Sequence, residues 1–231
     1  MNENSESAIS REDYEVSIVE PLSYFIGAWL GDGWVTYNPF TRNYSVCVKC
    51  MDREIITKCY IDVSNHFSDL REGRIYTELT KNETKLYKVV WWSKKFVELM
   101  HYTMPGKVSF PEYIWRASKD ARLNMLSGLM DTDGTIVQHA DGRNWHCTFT
   151  GTKGFVRQFP DLCRMLGIRI NSRNIEKHQN PNHIDRLQFN LSIPTMIDAG
   201  FKFHCDRKQD RLNKFIEQHS TLRDYTPSPT K

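Results

Sequence analysis

Two short stretches set an aspartate where a helix should end and follow it at once with glycine: FIGAWLGDG at residues 25–33 and LSGLMDTDG at residues 126–134. They align without a gap, Gly27 on Gly128, Asp32 on Asp133 and Gly33 on Gly134, 101 positions apart. Apolar spacing makes both helical, and a glycine just past the last turn is suited to a left-handed cap. A carboxylate there meets the negative end of the helix dipole, which is unfavourable by roughly 0.3–1 kcal/mol unless a positive group sits beside it. One such acid is ordinary; two in the same register read as a repeated device. Small residues four apart, Gly27 with Gly31 and Gly128 with Thr132, give each helix a smooth stripe on which another backbone can approach. Packing through these stripes would bring Asp32 and Asp133 together, where they would raise each other's pKa unless a cation lay between them. Hard oxygen donors with room for water and phosphate suit Mg²⁺, with Mn²⁺ substituting. Acids bridged by such an ion activate water and neutralise a phosphodiester in transition.

The elements that must position these acids repeat as well. NYSVCVKCMDREI (43–55) stands opposite NWHCTFTGTKGFV (144–156), each an alternating strand running into a helix, over 52–67 and 153–166. GRIYTEL with KLYKVVWWS, and INSRNIEKH with DRLQFNLS, read as strand pairs joined by the turn-forming TKNET and QNPNH. Short helices follow at 94–103 and 194–200. The pattern predicts an α+β chain of two αββαββα units. Residues 16–117 and 118–222 form the two halves, preceded by an acidic, disordered leader at 1–15 and followed by a tail at 223–231.

Composition agrees with a polyanion partner. The net charge is +3, but the leader carries five acids and one Arg, leaving 30 basic against 23 acidic residues beyond it. With 39% hydrophobic residues over 231 positions the chain can build substantial cores, and no run is long enough for a membrane span. Cys47 and Cys50 form the one close cysteine pair. In a strand, i and i+3 point to opposite faces, so free thiols in a reducing intracellular compartment are expected rather than zinc.

The doubled stretch resembles the motif of the LAGLIDADG homing endonucleases, in their single-chain form with two motifs, over roughly residues 16–220. LSGLMDTDG is a close match; FIGAWLGDG is looser, with Leu30 where the first family Asp stands. The resemblance implies two motif helices packed on each other beneath two antiparallel sheets that form a saddle over double-stranded DNA. It implies a metal-dependent, site-specific endonuclease that acts as a monomer on a long asymmetric target and leaves short 3′ overhangs. Asp32 and Asp133 are the metal ligands it implies, with Gly31 and Thr132 beside them.

The family also places a basic residue late in each half. Lys107 and Lys208 lie 75 positions after their acids, suited to polarising the attacking water or stabilising phosphorane charge. Arg207 is an alternative within the uncertainty of that register. Lys49 and Thr150, at the strand–helix junctions, match polar side chains that the family keeps by the metals. In RLQFNLS alternation sends Leu187, Phe189 and Leu191 inward and Arg186, Gln188 and Asn190 outward, where they suit major-groove pairing with guanine and adenine. Arg74 and Arg173, aligned with each other, and Arg42 and Arg143, in the strand-joining loops, complete the expected DNA contacts. Val89 and Trp91 align with Gln188 and Asn190. Two other readings use the same fold: an RNA maturase acting on intron RNA, and a DNA-binding regulator that has lost its acids.

Overall fold

The computed structural model describes residues 20–67, 70, 73–140, 142, 144–152, 154–176 and 186–223. The leader and most of the tail lie outside these residues. Each half begins with a motif helix, α1 (Ser23–Asp32) or α4 (Lys119–Thr132), that runs straight into a strand. In the first half follow β1 (Gly33–Asn38), β2 (Asn43–Cys50), α2 (Arg53–His66), β3 (Arg74–Leu79), β4 (Lys85–Trp91) and α3 (Lys94–Thr103). The second half repeats this as β5 (Gly134–Gln138), β6 (Trp145–Gly151), α5 (Phe159–Met165), β7 (Ile170–Glu176), β8 (Arg186–Leu191) and α6 (Ile193–Ala199). The expected helix over 153–166 divides, with a 3₁₀ turn at Gly154–Gln158 before α5. The halves end differently. The first closes on a 3₁₀ turn, Pro105–Lys107, and the second on α7 (Asp206–Arg223), a helix absent from the repeat as read in the sequence.

Both sheets are antiparallel and share one strand order, β1-β2-β4-β3 and β5-β6-β8-β7. Two four-stranded sheets and the helices beneath them make the α+β fold expected. One face of each sheet covers the helices. Val46, Val48, Val89 and Trp91 line that face in the first sheet, and Cys147, Phe149, Leu187, Phe189 and Leu191 in the second, all buried. Cys47 and Cys50 fall on opposite faces of β2, pairing with Val90 and Tyr87, so the cysteine pair has no shared site.

The motif helices are the central layer. Every residue from Ser23 to Gly31 is buried, as a helix that is apolar on all sides must be. The small-residue stripes do what their spacing requires. A Cβ on Gly27 would stand 2.0 Å from the Met125 carbonyl oxygen, one on Gly128 2.2 Å from that of Tyr24, and one on Gly31 2.1 Å from Thr132 Oγ1. Thr132 is tolerated in this seam because its hydroxyl turns back to donate to the Gly128 and Leu129 carbonyls at 3.1 and 3.0 Å.

The expected left-handed glycine cap is not how these helices end. Gly33 has φ −96° and ψ 165°, already strand, and Gly134 does not have positive φ. Glycine is needed at both positions for space: a Cβ would lie 2.2 Å from Trp29 Cδ1 at Gly33 and 2.5 Å from the Met130 carbonyl oxygen at Gly134. The left-handed cap is used instead at Gly200, φ 87°, which closes α6.

Candidate active site

Asp32 is the last residue of α1 and Asp133 the cap of α4, so the packed helices deliver both carboxyl groups to one place. A Cβ on Gly31 would be 3.3 Å from Asp133 Oδ2, so the acid of one half lies against the backbone of the other. A cleft of about 490 Å³ opens there, lined by Gly31, Asp32, Thr132, Asp133, Thr150, Thr152 and Arg186 among others. Its lining offers carboxylate, hydroxyl and backbone oxygen and neither His nor Cys, a donor set that fits a hard divalent cation such as Mg²⁺ or Mn²⁺.

The two lysines occupy corresponding cradles. Lys107 Nζ donates to the carbonyls of Trp29, Leu30 (3.1 Å) and Gly33 (2.5 Å). Lys208 Nζ donates to those of Met130 (2.8 Å), Asp131 (2.6 Å) and Gly134 (2.7 Å), each 101 positions later. An ammonium has three N–H donors and nothing to accept with, so each cradle matches the charged form and engages all three. Burial lowers the Lys208 pKa from its ordinary value, and Asp131 opposes that shift most. Neither set of carbonyls includes Gly31 or Thr132.

Asp131, which shares the last turn of α4 with the site acid Asp133, is 1% exposed. It accepts from the Tyr24 hydroxyl at 2.9 Å and from the backbone N–H groups of His204 (2.9 Å) and Cys205 (3.2 Å). Burial pushes its pKa up to about 6 against the pull of these donors and of Lys208. It therefore anchors the segment leading into α7 and Lys208. Leu30 holds the matching place in the first half and is fully buried.

Arg207, the alternative to Lys208, is committed elsewhere. Its Nε and an Nη each donate at 2.8 Å to Asp52, holding that carboxyl below the usual carboxylate range. The Asp206 N–H donates to Glu54, so the start of α7 is clamped across the halves onto the start of α2.

The outward faces of the sheets carry the remaining candidates. Thr150 lines the cleft, whereas its counterpart Lys49 pairs with Glu78 at 2.5 Å, and Lys88 takes the other oxygen of the same carboxyl. The two lysines hold the Glu78 carboxyl down to about 2. Arg186, expected among the outward DNA contacts, lines the aspartate cleft. Gln188 and Asn190 face outward between buried neighbours, as alternation requires. Asn174 donates to Gln188 at 3.4 Å, and Asn190 donates to Ser172 at 2.5 Å.

Arg74 and Arg173 do not hold matching places. Arg74 pairs with Val90 on the outward face, where it lies 5.9 Å from the Trp92 ring. Arg173 pairs with Phe189 on the helix side, its guanidinium 5.8 Å from that ring. The bulge between Ile170 and Ser172 shifts the register by one residue, and a one-residue shift exchanges faces. The same register corrects the β4 alignment: Lys88 and Val90, not Val89 and Trp91, correspond to Gln188 and Asn190. Arg42 sits exposed at the β1–β2 turn with φ 52°. Arg143 lies outside the described residues. Strict alternation along RIYTEL and KLYKVVW would have revealed Tyr76, Glu78 and Lys88 on the outward face with Arg74; nothing local in the sequence marks Glu78 as the shared partner of Lys49 and Lys88.

No family model matches the sequence, and neither does any curated protein. Solved structures do match. A mesophilic variant of the homing endonuclease I-DmoI superposes with a TM-score of 0.55 at 15% identity, covering 79% of this chain and 93% of that one. I-DmoI in complex with DNA and Mn gives 0.54 at 15% identity, covering 78% and 94%. The homing endonuclease I-WcaI bound to its DNA recognition sequence gives 0.56 at 13% identity, covering 90% and 94%.

The fold is that of the LAGLIDADG homing endonucleases. At such low identity the likeness lies in the fold and not in the sequence. Among the described residues no helix is long and apolar enough to cross a membrane.

Proposed function

We propose that the protein is a site-specific double-strand DNA endonuclease that cuts a long asymmetric target as a monomer. The observation that carries this reading is the meeting of Asp32 and Asp133 at the ends of two packed helices, in a cleft bordered by Thr150 and Arg186 of the second sheet. Its support from outside the chain is that I-DmoI and I-WcaI, which share the fold, are seen bound to DNA.

In this reading Asp32 and Asp133 hold Mg²⁺, or Mn²⁺ in its place, with the Gly31 and Thr132 backbone beside them. The bound ion supplies an activated water and neutralises charge on the phosphodiester. Thr150 and Thr152 present hydroxyls that orient water in the cleft, and Arg186 brings a fixed positive charge toward a phosphate oxygen. The outward faces of the sheets lie in the major groove of successive half-sites. The cuts in the two strands are staggered so as to leave short 3′ overhangs. Both acids being present favours cleavage over the regulator reading.

The test is incubation with a randomised duplex library and Mg²⁺, followed by sequencing of cut ends. Asp32→Asn or Asp133→Asn should abolish double-strand cleavage while preserving binding to the recovered target, because removing negative charge does not weaken attraction to phosphates. A fully active variant would overturn the assignment.

A further inference from the structure

The lysines' geometry differs from that of a catalytic group held ready for a phosphate. We propose that Lys107 and Lys208 are positioning residues, each of which closes the end of one motif helix and fixes the aspartate that it carries. The proposal rests on the endonuclease reading for the role of the aspartates, but the contacts themselves do not.

A helix leaves its last carbonyls without intrahelical donors and concentrates negative potential on them. Here that end also carries a carboxylate. The Lys107 ammonium binds the carbonyls of Trp29 and Leu30 in the last turn and of Gly33 in the first residue of β1. The tie therefore straddles Asp32, fixing the backbone on both sides of it. Lys208 straddles Asp133 in the same way, through Met130, Asp131 and Gly134. With three carbonyls engaged, donating to water or phosphate would require releasing one of them.

Two unlike backbones reach this one arrangement. Lys208 enters from the first turn of α7 and is 3% exposed. Lys107 sits in a 3₁₀ turn with φ 54°, directly after Gly106 at φ 62°, and its ammonium lies 4.2 Å from the Trp29 ring centroid. Positive φ at a lysine is a strained conformation. The strained turn delivers the same ammonium to the same carbonyls, so the contact, not the local conformation, is what the two halves share.

The experiment uses Lys107→Met and Lys208→Met in the full chain, with Lys107→Met the safer for folding because its site is only half-buried. Amide hydrogen exchange should accelerate in each variant at its own helix end, over 30–36 or 131–137, and not at the other. Mn²⁺ binding to the protein–DNA complex, read from the loss of the free-ion EPR signal, should weaken about tenfold or more, the usual effect of removing a group that orients a metal ligand. Unchanged exchange and Mn²⁺ affinity with a slower cut at saturating Mn²⁺ would make these lysines catalytic and overturn the proposal. A lower melting temperature with unchanged Mn²⁺ affinity would also overturn it. A protein that cuts no duplex would defeat the endonuclease reading while the exchange experiment still reported on the clamp.

Discussion

The two sheets share strand order, and register except at the β7 bulge, but their outward faces share almost no chemistry. The first presents Trp34, Tyr76, Trp92, Arg74 and the Lys49–Glu78–Lys88 group; the second presents Ser172, Asn174, Thr148, Thr150, Gln188 and Asn190. The first is the richer in aromatic and charged groups; the second is mostly hydroxyls and amides, with Arg186 at one end of β8. Beneath them the halves repeat one device: a shared helix seam, an acid at each helix end and a lysine in each cradle. The difference shows which constraints are shared. Packing of backbone on backbone, and of carbonyl on ammonium, permits one solution and is repeated. A solvent-facing strand surface carries no such constraint and is free to suit a different half-site, which is what an asymmetric target would ask of it.

The largest effect should come from breaking what the halves share. Gly27→Ala and Gly128→Ala each drive a methyl into backbone at 2.0 and 2.2 Å, which neither helix can relieve without separating from the other. Each should cost about 3 kcal/mol or more and prevent cooperative folding or nearly so. Thermal unfolding followed by circular dichroism checks this. A variant with unchanged melting temperature would show that the seam is not the rigid element described above.

A smaller effect should separate the halves. Asp131→Leu gives the second half the residue found at Leu30, but leaves the Tyr24 hydroxyl and the His204 and Cys205 N–H groups without their acceptor. Relief of the buried charge offsets part of that loss, leaving a cost of about 3 kcal/mol. For a chain of this size that is a melting temperature lower by roughly 6–12 °C. Leu30→Asp makes the reverse change and should cost at least as much, since it puts a carboxylate at a fully buried position shaped around leucine. An unchanged melting temperature in Asp131→Leu would mean that the acid does not anchor the α7 segment.

Much of this architecture was legible in the chain. Period-2 alternation and the 101-residue offset located the strands, and small residues at i and i+4 located the helix seam, because both patterns follow directly from backbone geometry. What escaped was set by tertiary contact. Arg173 faces the helices because of a bulge, and no local pattern in INSRNIE distinguishes a strand with one extra residue from a regular one. Lys107 and Lys208 were visible by their spacing, but a sequence cannot tell an ammonium aimed at a phosphate from one aimed at three carbonyls. The negative end of each helix, where the carboxylate stands, is met by the lysine ammonium on its carbonyls.

The smallest effect expected is also the most specific to the first sheet. Glu78 accepts from both Lys49 and Lys88, so in the free protein one carboxyl occupies two ammonium groups on the face assigned to DNA. A phosphate must compete with that carboxyl or leave both lysines where they are. Glu78→Gln removes the competing charge and leaves a side chain of the same shape. Each lysine that then neutralises a phosphate steepens log K against log[salt] by about 0.9, so the slope should grow by about 1–2 and DNA should bind more tightly at low salt. The pH dependence has a definite sign. The pKa of Glu78 is lowered to about 2 by its lysines, so the favourable contribution of the group is complete above the ordinary carboxylate value and fades only as pH falls toward 2. The gain from Glu78→Gln should therefore be the same at pH 6 and pH 8. Fluorescence anisotropy with a labelled duplex over a salt series measures it. An unchanged slope would mean that Lys49 and Lys88 do not contact phosphate, and Arg74 and the aromatic residues beside them would then have to carry the first half-site.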